Sequence, residues 1–168
     1  LDAEPVIGCG RYLAKAVVGE RFEVAATVLR EGHDAVAASV SFCDPAGRVR
    51  QWVRLRKREP WSDRWFAELS ADDEGEWTFT IEGWSDPIGT WRHAAEVKVP
   101  AQIDVQLVFT EGAQLLERAA AALPRGLTAE RRLLRDTAKA VRDERRPPPV
   151  RLAAAMARTS TVGSLLAA

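Results

Sequence analysis

Residues 82–93 read EGWSDPIGTWRH, and they hold two of the six tryptophans and one of the two histidines of this chain. Ser85-Asp86-Pro87 followed by Gly89 carries turn chemistry: Asp bonds its own backbone, Pro presets φ, and Gly relieves crowding. Gly83, just upstream, can host a bulge that flips the register of a strand. Read as a hairpin corner, the stretch places Trp84 and Trp91 as cross-strand partners. The competing reading is an open aromatic platform on which a sugar ring stacks. Arg92 and His93 follow at once and could reach a partner. Trp84, Trp91, Arg92 and His93 are therefore the candidate interface or sugar-contact residues.

Upstream of this corner the sequence alternates. Phe22, Val24, Ala26 and Val28 have the period of a half-buried strand, and Val36, Ala38, Val40 and Phe42 repeat it. Asp44-Pro45-Ala46-Gly47 is a type I turn signature, from which residues 52–55 return as the partner strand. Trp65, Ala67 and Leu69 alternate again, and Trp77, Phe79 and Ile81 share a face opposite Thr78, Thr80 and Glu82. Val97 and Val99 close the series before Pro100. About seven short strands without helices between them predict an antiparallel β-sandwich over residues 1–101. Within it, Asp72-x-x-Gly75-x-Trp77 resembles the corner of immunoglobulin-like sandwiches, with Trp77 in the tyrosine place but lacking its hydroxyl.

Downstream the pattern is helical. Leu107, Leu115, Leu116, Ala119, Ala122 and Leu123 include the steps of an amphipathic helix, which Pro124-Arg125-Gly126 ends. Thr128 is positioned to cap a second helix whose apolar stripe is Leu134, Ala138 and Val141. The Pro147-Pro148-Pro149 run breaks that helix. An alanine-rich third helix follows over residues 150–157, and residues 159–168 begin a fourth. Residues 102–168 thus predict a small helical bundle, and the fold class is α+β, mainly β. All six tryptophans precede residue 101, and charge divides too. Eleven Arg/Lys against seven Asp/Glu from residue 101 onward give +4, leaving −4 before it.

The whole chain has 168 residues and a formal charge of zero. A chain of this size buries roughly 70% of its extended surface, enough for a true core. Zero net charge gives no electrostatic reason for a nucleic-acid or anionic-membrane partner. Two cysteines, Cys9 and Cys43, suggest no disulfide framework and fit a reducing cytoplasm. No run of about 18 apolar residues is present. The chain opens without Met, and both ends read as cut from something longer.

Catalytic signals are weak. Asp72, Asp73, Glu74 and Glu76 cluster, but glycosidic acid–base chemistry needs carboxyl groups facing each other about 5–9 Å apart across a cleft. Neighbours in a turn point into water instead. A metal site would need His33, His93, Cys9 and Cys43 to converge, and none is spaced as a ligand pair. No nucleophile–histidine pair and no glycine-rich phosphate loop stand out. The expectation is no catalytic, metal or cofactor-binding residue.

One resemblance adds to this. Cys9-Gly10-Arg11, then Lys15-Ala16-Val17-Val18-Gly19-Glu20, Glu23-Val24 and Arg30-Glu31-Gly32-His33-Asp34 form an ordered series of blocks. Asp86-Pro87, Thr90-Trp91-Arg92-His93, Glu111-Gly112-Ala113 and Leu116-Glu117-Arg118-Ala119-Ala120 continue it. Over nearly its whole length the chain resembles the N-terminal region of the α-1,4-glucan:maltose-1-phosphate maltosyltransferases of the α-amylase clan, glycoside hydrolase family 13. The resemblance implies a β-sandwich with a helical bundle inserted before its last strand, which here is missing, and a (β/α)₈ barrel beyond. It implies a cytoplasmic homodimer that retains configuration while passing maltosyl units from maltose 1-phosphate to α-1,4-glucan. It also implies that the catalytic carboxylates lie in the barrel, so no position here inherits them. On this reading the chain is a non-catalytic assembly and dimerisation region, inactive alone. Its partners are its own barrel and a second copy, with no nucleic acid and no membrane. The alternative is an α-glucan-binding accessory module that uses surface tryptophans.

Overall fold

The computed structural model describes the backbone of residues 1–165 and the side chains of residues 1–157. Two compact units divide the chain: residues 1–32 with 36–85, and residues 33–35 with 86 onward.

The first unit is two three-stranded antiparallel sheets. One has the order β1-β5-β4, from β1 (Phe22–Thr27), β5 (Arg64–Leu69) and β4 (Arg56–Lys57). The other has the order β3-β2-β6, from β3 (Val49–Arg54), β2 (Val36–Cys43) and β6 (Thr78–Ser85). Alternation decides which face is dry. Ala38, Val40 and Phe42 of β2 meet Val24, Trp65, Ala67 and Leu69 of the other sheet, with Leu55 among them. Each large apolar side chain so buried stabilises the fold by about 1.5–3 kcal/mol. Trp77, Phe79 and Ile81 flank this core as expected, and the Trp77 ring stacks on Phe42 at 4.7 Å. The Trp77 indole N–H donates to the Asp73 carbonyl at 3.1 Å. The Asp44 turn joins β2 to β3, closed by a Gly47 N–H to Asp44 carbonyl bond of 2.8 Å.

The second unit is four helices: α1 (Pro87–Lys98), α2 (Val105–Ala122), α3 (Thr128–Arg142) and α4 (Pro148–Leu165). Here the expectation fails at its opening stretch. Residues 87–98 are helix, not the return strand of a hairpin, and Val97 and Val99 belong to the helix and its cap. Asp86 caps the N-terminus, its carboxylate accepting the Gly89 N–H at 2.8 Å, and Pro87 fills the first turn. The strands read up to Val99, on which a boundary after residue 101 rested, therefore stop at Ser85. Thr128 is the first residue of α3 and makes no side-chain cap. Residues 150–157 and 159–165 form one helix rather than two, while 166–168 lie outside the described residues.

Apolar faces of all four helices converge on one core, with Phe109 and Leu116 of α2 fully buried. Arginines tie successive helix ends. Arg131 donates to the carbonyls of Ala120, Leu123 and Pro124 at the end of α2. Arg151 donates to the Val141 carbonyl of α3 at 2.7 Å and lies 4.0 Å over the Phe109 ring. Ala120 and Val141 lie in the last turns of their helices, where carbonyls lack the regular intrahelical N–H, so each guanidinium reaches a carbonyl that helix geometry leaves open.

Candidate functional site

The four residues singled out from the sequence do not form one site. Trp84 stands on β6, opposite Ala37 of β2, and is 39% exposed. Trp91 belongs to the helical unit and is 5% exposed. They are not hairpin partners. Trp91 is an anchor of the bundle core: its indole N–H donates to the Val108 carbonyl at 2.7 Å. Gly112 of α2 makes room for it, since a Cβ there would overlap the Trp91 ring. The ring needs that gap, because interiors are packed too densely for both groups.

Arg92 and His93 follow Trp91 around α1, and the helical turn separates their environments. Arg92 is half-buried, with its Nε atom covered and without a hydrogen-bond partner, whereas His93 is exposed. The corner is held by backbone chemistry: the Thr90 hydroxyl accepts from the Ala35 N–H at 2.8 Å and donates to the Asp86 carbonyl at 3.0 Å. Nothing at residues 82–93 presents a nucleophile beside a base. Asp72, Asp73, Glu74 and Glu76 are exposed in the turn before β6, with Asp72 ion-paired to Arg50 at 2.7 Å. Among the described residues no three His, Cys, Asp or Glu lie together as a metal site. No helix among them is long and apolar enough to cross a membrane.

The perturbed ionisable groups serve structure. Asp44 is nearly covered, and its carboxylate takes the Arg48 backbone N–H at 2.9 Å, the Ala46 N–H at 3.0 Å and the Arg48 Nε–H at 2.8 Å. The Arg48 backbone bond is the main reason its carboxyl sits below the usual range, against an opposing push from burial. Asp143 is likewise held low, first by the side-chain bond from Arg145. Burial pushes the Arg151 guanidinium down.

Exposure sorts the remaining tryptophans. Trp65 is buried and donates to the Val28 carbonyl at 3.2 Å, while Trp61 is 84% exposed. Trp52 is the residue that sequence reasoning passed over. It stands on β3 opposite Ser41, 37% exposed, on the same outer sheet face as Trp84. The available signal was the small-residue series Ala37, Ser39 and Ser41, which alternates with the core residues of β2 and marks its other face.

All 168 residues match the family model described as alpha-1,4-glucan:maltose-1-phosphate maltosyltransferase, domain N/S. Over 167 residues the chain is 51% identical to alpha-1,4-glucan:maltose-1-phosphate maltosyltransferase 1 of Streptomyces coelicolor, covering 99% of this chain and 24% of that protein. A second Streptomyces coelicolor maltosyltransferase is 51% identical over 166 residues, covering 99% of this chain and 24% of that protein. The Mycobacterium tuberculosis H37Rv maltosyltransferase is 37% identical over 153 residues, covering 75% of this chain and 22% of that protein. The chain thus spans about a quarter of the length of the curated relatives it matches.

Proposed function

This chain belongs to the family of the alpha-1,4-glucan:maltose-1-phosphate maltosyltransferase domain N/S, and from that premise we propose that it is the non-catalytic assembly region of such an enzyme. The parent would pass maltosyl units from maltose 1-phosphate to α-1,4-glucan with chemistry carried by its remaining residues, in a (β/α)₈ barrel. The observation that carries this reading is the match of all 168 residues to domain N/S while they span 24% of the curated relatives. Placement of Trp91 as a core anchor supports it, because that ring then serves packing rather than chemistry.

Assembly needs apolar surface to bury, and the first unit has it. Val6, Tyr12, Leu13 and Val17 lie along the segment preceding β1, each more than half exposed. An apolar surface that is contiguous marks a contact with another body, and these side chains are the ones we assign to it. We assign that body to the barrel of the same chain or to a second copy, in a cytoplasmic homodimer. The sandwich is read as immunoglobulin-like, with its closing strand supplied from beyond the helices.

The test is sedimentation of the full enzyme with and without residues 1–168. The deleted form should lose the dimer. A deletion that sediments as a stable dimer would overturn the assembly role.

A further inference from the structure

The outer face of the β3-β2-β6 sheet is built in cross-strand rows. Trp84 stands beside Ala37, then Glu82, Ser39 and Arg54 form a row, then Thr80, Ser41 and Trp52. Along β2 this face carries only small side chains, and Ala37 and Ser39 are each 1% exposed between longer cross-strand neighbours. The two tryptophans occupy opposite corners. Four residues along the strand and two strand spacings across put their Cα atoms about 16 Å apart. At 37% and 39% exposure each ring is half open to solvent.

A second observation lies at the centre of this face. Ser39 is 1% exposed, and its hydroxyl has no hydrogen-bond partner. Strand alternation points it away from the core, since its neighbours Ala38 and Val40 face inward. A buried hydroxyl left unpaired gives up its bonds to water without replacement. Arg54 and Glu82 flank it in the same row, and a ligand hydroxyl that reaches it would recover that loss.

The geometry points to a saccharide-binding face here, one that takes a run of α-1,4-linked glucan across Trp52, Ser39 and Trp84. Four features fit that ligand class. Indole rings offer apolar faces to pyranose rings. Serine and threonine hydroxyls between them both donate and accept, as sugar hydroxyls do. One Arg and one Glu leave the face neutral, which matches an uncharged ligand. The separation of the rings suits a chain of several sugar units rather than one. This assignment rests on the proposed function only for the choice of α-glucan among saccharides.

The test uses the full enzyme. Retardation in native gels containing glycogen, and tryptophan fluorescence titrated with maltoheptaose, measure binding in the unaltered protein and in the variants Trp52→Ala, Trp84→Ala and Ser39→Ala. Trp61→Ala is the control, an exposed tryptophan outside these rows. Each face tryptophan should weaken binding about tenfold, the scale of a buried aromatic anchor. The double variant should lose retardation, Ser39→Ala should weaken binding without lowering the thermal midpoint, and Trp61→Ala should leave binding unchanged. A double variant with unaltered affinity, or one that changes sedimentation but not glucan retention, overturns the inference. Maltosyl transfer by the unaltered enzyme is assayed in parallel. Absence of transfer would count against the proposed function, whereas unchanged retention in the double variant would count only against this face.

Discussion

Trp91 shows how one side chain can commit a segment to a core. It buries a large apolar area and satisfies its one polar atom on the Val108 carbonyl, so no part of the ring is left for a ligand. Gly112 is its complement. A methyl group at that position overlaps the indole, and relief would require α2 or the ring to move. Gly112→Ala should therefore destabilise the helical unit by about 3 kcal/mol, the upper part of the range for overpacked cores, despite alanine's better helix propensity. Urea unfolding followed by tryptophan fluorescence measures this. A Gly112→Ala protein as stable as the unaltered one would show that the ring is not confined. Ser39 is the opposite case, a covered polar group that packing alone does not explain.

At the scale of elements, the Asp44 turn converts local chemistry into sheet register. Its carboxylate fixes the Ala46 and Arg48 N–H groups, so β3 leaves the turn aligned with β2. The folded-state pKa is lowered, so this interaction stabilises above the unfolded carboxylate value of about 4 and is lost as pH falls through the lower folded value. Asp44→Asn should lower stability at neutral pH and remove part of the fall in urea midpoint below pH about 4. A variant whose acid profile runs parallel to the unaltered protein would refute the assignment. This turn was legible in sequence because Asp, Pro and Gly each sit where a type I turn needs them. Alternation likewise revealed β1, β2, β5 and β6, since half-buried strands write their two faces into a period of two. The corner at residues 82–93 was not legible as a turn or a cap, because Ser-Asp-Pro is the signature of both. What separates them is the spacing Ile88, Trp91, Ala95, Val99, a helical stripe continuing past the corner. The candidate tryptophans failed as a pair for that reason: one finishes a strand and the other starts a helix. Trp52 escaped notice because exposure on an outer face depends on the size of cross-strand neighbours, which sequence order hides.

For the whole molecule, two units with separate cores account for the uneven sequence: tryptophan-rich strands in one, Ala/Leu-rich helices in the other. Trp77 stacks on Phe42 in the sandwich core, and Arg131 and Arg151 tie helix ends, so these side chains, of types that carry chemistry elsewhere, serve packing here. The central claim is that these residues supply architecture to an enzyme whose reacting groups lie outside them. Its most direct test is phosphate release from maltose 1-phosphate, with a short maltodextrin acceptor, by the polypeptide of residues 1–168. A near-UV circular dichroism signal from its tryptophans would establish that it is folded. The account predicts no release above the uncatalysed rate while the full enzyme turns over; turnover by the 168-residue polypeptide would contradict it.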